Sequence, residues 1–167
     1  MLSLAEVTVR LATAAAVGSV IGLNREVLHK PAGLRTHAIV SLGSALVTLC
    51  VVSISITPGG VVDANAVSRA IQGIVAGIGF LGGGAILKST DRHAISGLTT
   101  AASIWLVASL GIACGLGFWR TSLIALALAL LILVLGGPLE GFVRRKLTKG
   151  QLETPREDAN GELRIEK

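Results

Sequence analysis

The sequence predicts an all-α polytopic membrane protein with five transmembrane helices, its N-terminus outside and its C-terminus in the cytoplasm. Three observations carry that expectation. Of the 167 residues 51% are hydrophobic and only 15% are charged. The charges are also segregated: residues 1–138 hold 8 Lys/Arg and 4 Asp/Glu, whereas residues 139–167 hold 7 and 6. Twelve charges cannot cover the water-facing surface of a soluble domain of that size, so the first 138 residues belong in a bilayer. Finally, the basic residues gather on alternate loops, as a fixed membrane orientation requires. A soluble enzyme, a secreted disulfide scaffold and a DNA-binding domain are excluded. The pI of 9.9 reflects orientation, and no nucleic-acid partner is expected.

The first apolar stretch, Leu4–Leu23, contains Arg10, which can pair with Glu6 one turn earlier or snorkel outward. It lacks a basic leader and a second span follows at once, so it is not expected to be a cleaved signal. The loop Asn24–Arg35 carries Arg25, Lys30 and Arg35. Pro31 and Gly33 suit a tight turn there, and Thr36 is a candidate helix cap. The second span is Thr36–Ile56 and the third Ala70–Leu87. Three consecutive glycines, Gly82–Gly84, predict a break or kink in the third. The fourth, Leu98–Leu116, opens on Thr99, Thr100 and Ser103, whose hydroxyls can hydrogen-bond across helices. The fifth runs from about Phe118 to Leu135, crowded by Arg120 and ended by Gly136-Gly137-Pro138. Each stretch is about 27–32 Å long as a helix, close to the thickness of a hydrocarbon core. Residues 139–167 are expected as a tail, first a short basic surface helix, then a disordered end.

Nine basic residues lie on one side: Arg25, Lys30, Arg35, Lys88, Arg92, Arg144, Arg145, Lys146 and Lys149. At most Arg10, Arg69 and Arg120 lie on the other. This asymmetry places the nine in the cytoplasm. A shift of 64 residues aligns Gly33-Leu34-Arg35-Thr36-His37-Ala38 with Gly97-Leu98-Thr99-Thr100-Ala101-Ala102, and Cys50 with Cys114. Gly18 then meets Gly82 and Leu23 meets Leu87. The match suggests parallel repeats of a two-helix hairpin, against chance matching in low-complexity membrane sequence.

Gly77-Ile78-Gly79-Phe80-Leu81-Gly82 formally fits a dinucleotide fingerprint, but it lies inside a span with no preceding strand and no acid about 20 positions on to hold a ribose. Two readings remain for Gly77, Gly79, Gly82, Gly83 and Gly84: close helix packing, or lining a path for a small ion. Arg25, Glu26 and Arg35 form a paired network at the inner mouth, or serve orientation alone. Arg69 and Gln72, one turn apart, line an entrance or anchor the interface. His29, His37 and His93 lack the spacing of zinc ligands, so no metal site and no cofactor is expected. Cys50 and Cys114 are expected as buried small residues. No catalytic constellation is present, and the only acids in residues 1–138 are Glu6, Glu26, Asp63 and Asp91. An enzyme is not expected.

The blocks Gly22-Leu23-Asn24-Arg25-Glu26, Pro31-Ala32-Gly33-Leu34-Arg35-Thr36-His37, Gly77–Gly84 and Gly97-Leu98-Thr99-Thr100-Ala101-Ala102 resemble, in order and spacing, the MgtC/SapB family of bacterial membrane proteins. The resemblance covers about residues 10–120. It implies an inner-membrane protein in adaptation to low Mg²⁺ and, in some pathogens, survival inside macrophages. In one member it implies action on the ATP synthase. By resemblance the positions carried over are Arg25, Glu26, Arg35, Thr36, Arg69, Gly77, Gly79, Gly82, Thr99 and Thr100. Asn24 departs from the acid more usual in the family. The folded cytoplasmic domain of many members has only 29 residues after Pro138 as its counterpart. The leading expectation is a regulator or adaptor of transport or membrane energetics. The alternative is a small homodimeric transporter or channel for magnesium or another cation, with a broken glycine helix along the path. The expected partners are the lipid bilayer, a second copy of the chain and, by resemblance, a complex such as the ATP synthase.

Overall fold

A computed structural model describes residues 2–57, 59–87, 97–152, 156–157 and 163–164. Five helices are present: α1 (Leu4–Val27), α2 (Leu34–Ile54), α3 (Ala64–Leu87), α4 (Leu98–Gly115) and α5 (Trp119–Leu152). All five are long and apolar enough to cross a membrane, the candidate span of α5 being Trp119–Leu139. The chain forms two compact units, residues 1–127 and residues 128–167.

In the first unit α2 and α4 pack together, α1 lies against both, and α3 lies against α4 and, less extensively, α2. The interior mixes aliphatic and polar side chains: Ala14, Val17, Ile21, Ala45, Ile104, Val107, Ala108 and Leu110 are buried with Arg25, His37, Ser41, Ser44, Thr48, Thr100 and Ser103. The outside is rich in large apolar side chains, among them Ile39, Ile54, Phe80, Leu87 and Ile124. This distribution suits lipid, where hydrophobicity drives no helix association and packing with hydrogen bonds must do so.

Local signals set the ends. Ser3 caps α1 by accepting from Glu6 N–H, and Asp63 accepts from Asn65 N–H at 2.9 Å at the start of α3. At the far end of α1, Lys30 N–H donates to Arg25 O and His29 N–H to Glu26 O, with His29 left-handed at φ 52°. That is a Schellman motif, in which glycine is the usual occupant. At the end of α4 the same bonds run from Phe118 to Ala113 and from Gly117 to Cys114, and Gly117 supplies the positive φ of 90°.

Two expectations are overturned. The third helix is unbroken through Gly82–Gly84. Each interior glycine weakens a helix by about 1 kcal/mol, but opening one in a bilayer strands backbone groups that cost several kcal/mol each. Nor does the fifth helix end at Gly136-Gly137-Pro138: α5 keeps Pro138 inside it and runs to Leu152. Proline removes one backbone donor there, a loss that membrane helices tolerate. In the second unit, beyond α5, Arg156–Glu157 pairs antiparallel with Leu163–Arg164, in the segment expected to lack structure.

A buried polar column as the candidate functional site

Close backbone contact builds the site. On α1, a Cβ at Gly18 would stand 2.6 Å from His37 O, and one at Gly22 would stand 2.6 Å from Leu34 Cα. On α4, a Cβ at Gly111 would stand 2.2 Å from Ser41 O, and one at Gly115 would stand 2.6 Å from Ala45 O. Two glycine pairs, each four residues apart, therefore clasp α2 from both sides. On α2 the residues held there are His37, Ser41, Ser44 and Thr48, spaced four, three and four apart on one face.

The column begins where α1 ends. The Arg25 side chain is buried, 4% exposed, and its Nη2 donates to Thr100 Oγ1 in the first turn of α4 at 2.5 Å. One turn on, Ser103 Oγ lies 2.8 Å from Thr100 O and 3.0 Å from His37 Nε2. His37, completely buried, donates from Nδ1 to Gly33 O at 2.9 Å. With Nδ1–H committed to a carbonyl, a neutral ring accepts at Nε2, so the Ser103 hydroxyl chooses between the ring and Thr100 O. Further along, the Ser41 hydroxyl is buried with no hydrogen-bond partner, and Thr48 Oγ1 donates to Ser44 O at 2.8 Å. At the opposite end Arg10 Nη1 donates to Gly115 O at 2.8 Å while its Nη2 pairs with Glu6, the pairing anticipated from their spacing. An arginine there complements the negative end of α4. Ser122 of α5 closes the same end, donating to Leu110 O at 3.2 Å and accepting from Cys114.

Of the sequence-predicted residues, Arg25 and Thr100 meet although 75 positions apart. Glu26 does not join an ionic network with Arg25 and Arg35. Its Oε2 accepts from Leu34 N–H at 2.9 Å and so caps α2, and a Cβ on Gly33 would strike it at 2.8 Å. Glu6–Arg10 is the one ion pair among the described residues. Thr36 is not a cap, since Gly33 occupies the N-cap of α2. Arg35, Thr36 and Thr99 are exposed. Arg69 and Gln72 are exposed on α3, and Gln72 donates to Ser68 at 3.3 Å. Of the five glycines singled out on α3, only Gly82 meets another helix, with Ala101 Cβ at 3.5 Å. Gly77, Gly79, Gly83 and Gly84 have nothing within 4 Å of a would-be Cβ. Cys114 is buried as expected, but Cys50 is exposed on the outer side of α2. Lys88, Arg92 and His93 lie outside the described residues. His37, Ser41 and the pairs Gly18/Gly22 and Gly111/Gly115 were missed, although polar residues at helical spacing on α2 were a readable signal.

This geometry accounts for two of the sequence blocks. Gly22 admits the Gly33–Leu34 backbone, Glu26 caps α2, and Arg25 reaches α4. The MgtC family model matches residues 11–142. The chain belongs to the MgtC family. It is 45% identical over 130 residues to SrpB of Synechococcus elongatus, covering 74% of this chain and 71% of that one. It is 35% identical to YhiD of Escherichia coli K12, named there as a candidate magnesium transporter, covering 77% of this chain and 60% of that one. It is 37% identical to MgtC of Salmonella typhimurium, covering 69% of this chain and 46% of that one. The chain thus spans about half the length of MgtC and more of the other two. No solved structure matches it. Family membership and the five apolar helices together make it a multi-pass membrane protein.

Proposed function

We propose that this MgtC-family chain acts in the bacterial inner membrane, during adaptation to low magnesium, as a regulator or adaptor of transport or membrane energetics. It works by contact rather than catalysis. The observation that carries this reading is on α3: a Cβ at Gly73, Gly77, Gly79, Gly83 or Gly84 would meet nothing within 4 Å among the described residues, although glycines spaced this way are the usual means of bringing membrane helices together. The core contains arginines and hydroxyls, whereas a directly bound Mg²⁺ is held through carboxylates. The positive-inside asymmetry puts the Arg25 end of the bundle in the cytoplasm. A second copy of the chain is the first candidate for the α3 face, and a larger complex such as the ATP synthase the next.

The internal repeat belongs to the same reading. Gly33 and Gly97 both occupy helix N-caps, and Gly18 and Gly82 both face the helix that follows. The deciding experiment reconstitutes the purified chain in liposomes loaded with a Mg²⁺ indicator. The expected result is no flux above protein-free vesicles. Saturable Mg²⁺ entry would favour the second reading, a small homodimeric cation transporter, which the exposed Arg69 and Gln72 beside the glycine face support. In that case the path would follow an intact α3, not a broken one.

A further inference from the structure

Helix α5 outruns the bilayer. Its 34 residues extend about 51 Å, against about 30 Å of hydrocarbon. The candidate span ends at Leu139, and residues 140–152 continue the helix beyond it. That continuation contains Arg144, Arg145, Lys146 and Lys149 against the single acid Glu140. At about 100° per residue, positions 139, 142, 143 and 147 fall within about 140° of the helix circumference. Leu139, Phe142, Val143 and Leu147 occupy them, so the register draws one apolar stripe. Arg144 falls beyond one edge of that arc, and Arg145 and Lys149 fall beyond the other. Lys146 falls inside it, and it is exposed, as suits a lysine whose stem follows an apolar surface with its ammonium in water.

A helical segment this short, with Gly141 and Gly150 in it, is not held by its own hydrogen bonds in water. It needs a surface for its apolar stripe, and among the described residues Leu139 and Leu147 are 62% and 68% exposed. We propose that residues 140–152 dock on the anionic lipid headgroups of the bilayer that α5 crosses. Charge complementarity selects this occupant: a basic helix with one apolar face beds that face among acyl chains and sets its Lys and Arg among phosphates. Continuity selects it too, since the stripe starts at the last residue of the span and so at the hydrocarbon boundary. The junction favours a bend. Pro138 has no N–H to offer Val134 O and crowds that carbonyl, and a Cβ at Gly136 or Gly137 would meet nothing within 4 Å. A kink there lays the stripe along the bilayer while the helix stays continuous. The inference rests on α5 crossing a membrane and not on the regulator reading, so a Mg²⁺ flux leaves it untouched.

The test attaches a nitroxide to Leu147→Cys or, separately, to Thr148→Cys in the full chain with Cys50→Ser, Cys114 being buried. Collisions with a water-soluble nickel chelate are then measured in nanodiscs. Position 148 lies about 100° round the helix from 147, off the stripe. Replacing part of a zwitterionic lipid with phosphatidylglycerol should cut chelate collisions at Leu147→Cys about threefold, while Thr148→Cys stays in water. Molar salt should restore them, as should Arg144→Gln, Arg145→Gln, Lys146→Gln and Lys149→Gln together. Should that fourfold variant not insert, the salt measurement decides. A label at 147 that stays in water in the anionic nanodisc overturns the proposal. Immersion indifferent to both lipid charge and salt also overturns it. Residues 153–167 contain five acids and are the competing occupant. Removing them should leave the 147 label immersed, and its release to water would assign the basic helix to that segment and overturn the lipid site.

Discussion

Two sets of glycines occupy this molecule, and they do opposite things. Gly18, Gly22, Gly111 and Gly115 stand where a single added carbon would strike the backbone of α2. Gly73, Gly77, Gly79, Gly83 and Gly84 stand where the same carbon would meet nothing. By spacing the sets are indistinguishable, since both contain pairs four residues apart. The difference lies in which face of each helix the rest of the chain covers. The first set is spent on closing α1, α2 and α4 around His37 and its hydroxyl neighbours. The second stands uncovered on α3, with the exposed Phe80 and Leu87 among its neighbours, and is left for something outside the chain.

The contrast breaks most sharply at Gly111. Gly111→Leu should cost about 3 kcal/mol or more, because the Ser41 carbonyl cannot yield without moving α2. Denaturant unfolding in micelles would register it as a chain that no longer folds cooperatively. His37→Ala should lose about 3 kcal/mol, from the cavity and from Ser103 losing its ring partner. Arg10→Ala should lose about 1–2 kcal/mol by uncovering Gly115 O at the end of α4. A Tm comparison of these two variants ranks them, and the reverse order would mean that the column contributes less than its rim. The smallest effect has the opposite sign: Gly77→Ala should gain about 0.5–1 kcal/mol, because alanine favours the helix and meets no neighbour. A loss of stability at Gly77 would mean that the two glycine sets are one.

The five spans were legible because each is a long apolar run between polar loops, and length with hydropathy suffices for that. The helix ends were legible less well. Ala64–Arg69 join α3 through the Asp63 cap, and α5 passes Pro138 because nothing in a bilayer substitutes for helical hydrogen bonds. Arg25 and Thr100 were flagged separately, yet their bond across 75 residues depends on tertiary packing that no local pattern carries. For Glu26 charge alone leaves an ionic network and a purely orienting loop equally open, and neither points to the backbone N–H of Leu34 that the carboxylate meets. His37 was set aside for lacking a second metal ligand. The polar residues that share its face, Ser41, Ser44 and Thr48, were the evidence that it points inward. The α3 glycines drew attention by their density, and density reveals nothing about which side of a helix is covered.

Gly77→Leu tests the division between a closed core and an open α3 face most directly. The variant is measured twice, for its Tm in nanodiscs and for its ability to restore growth to a deletion strain at low Mg²⁺. The predicted result is a Tm within about 2 °C of the unaltered chain together with loss of rescue. Full rescue, or a collapse in Tm of the size expected at Gly111, would contradict the assignment of α3 as the contact surface.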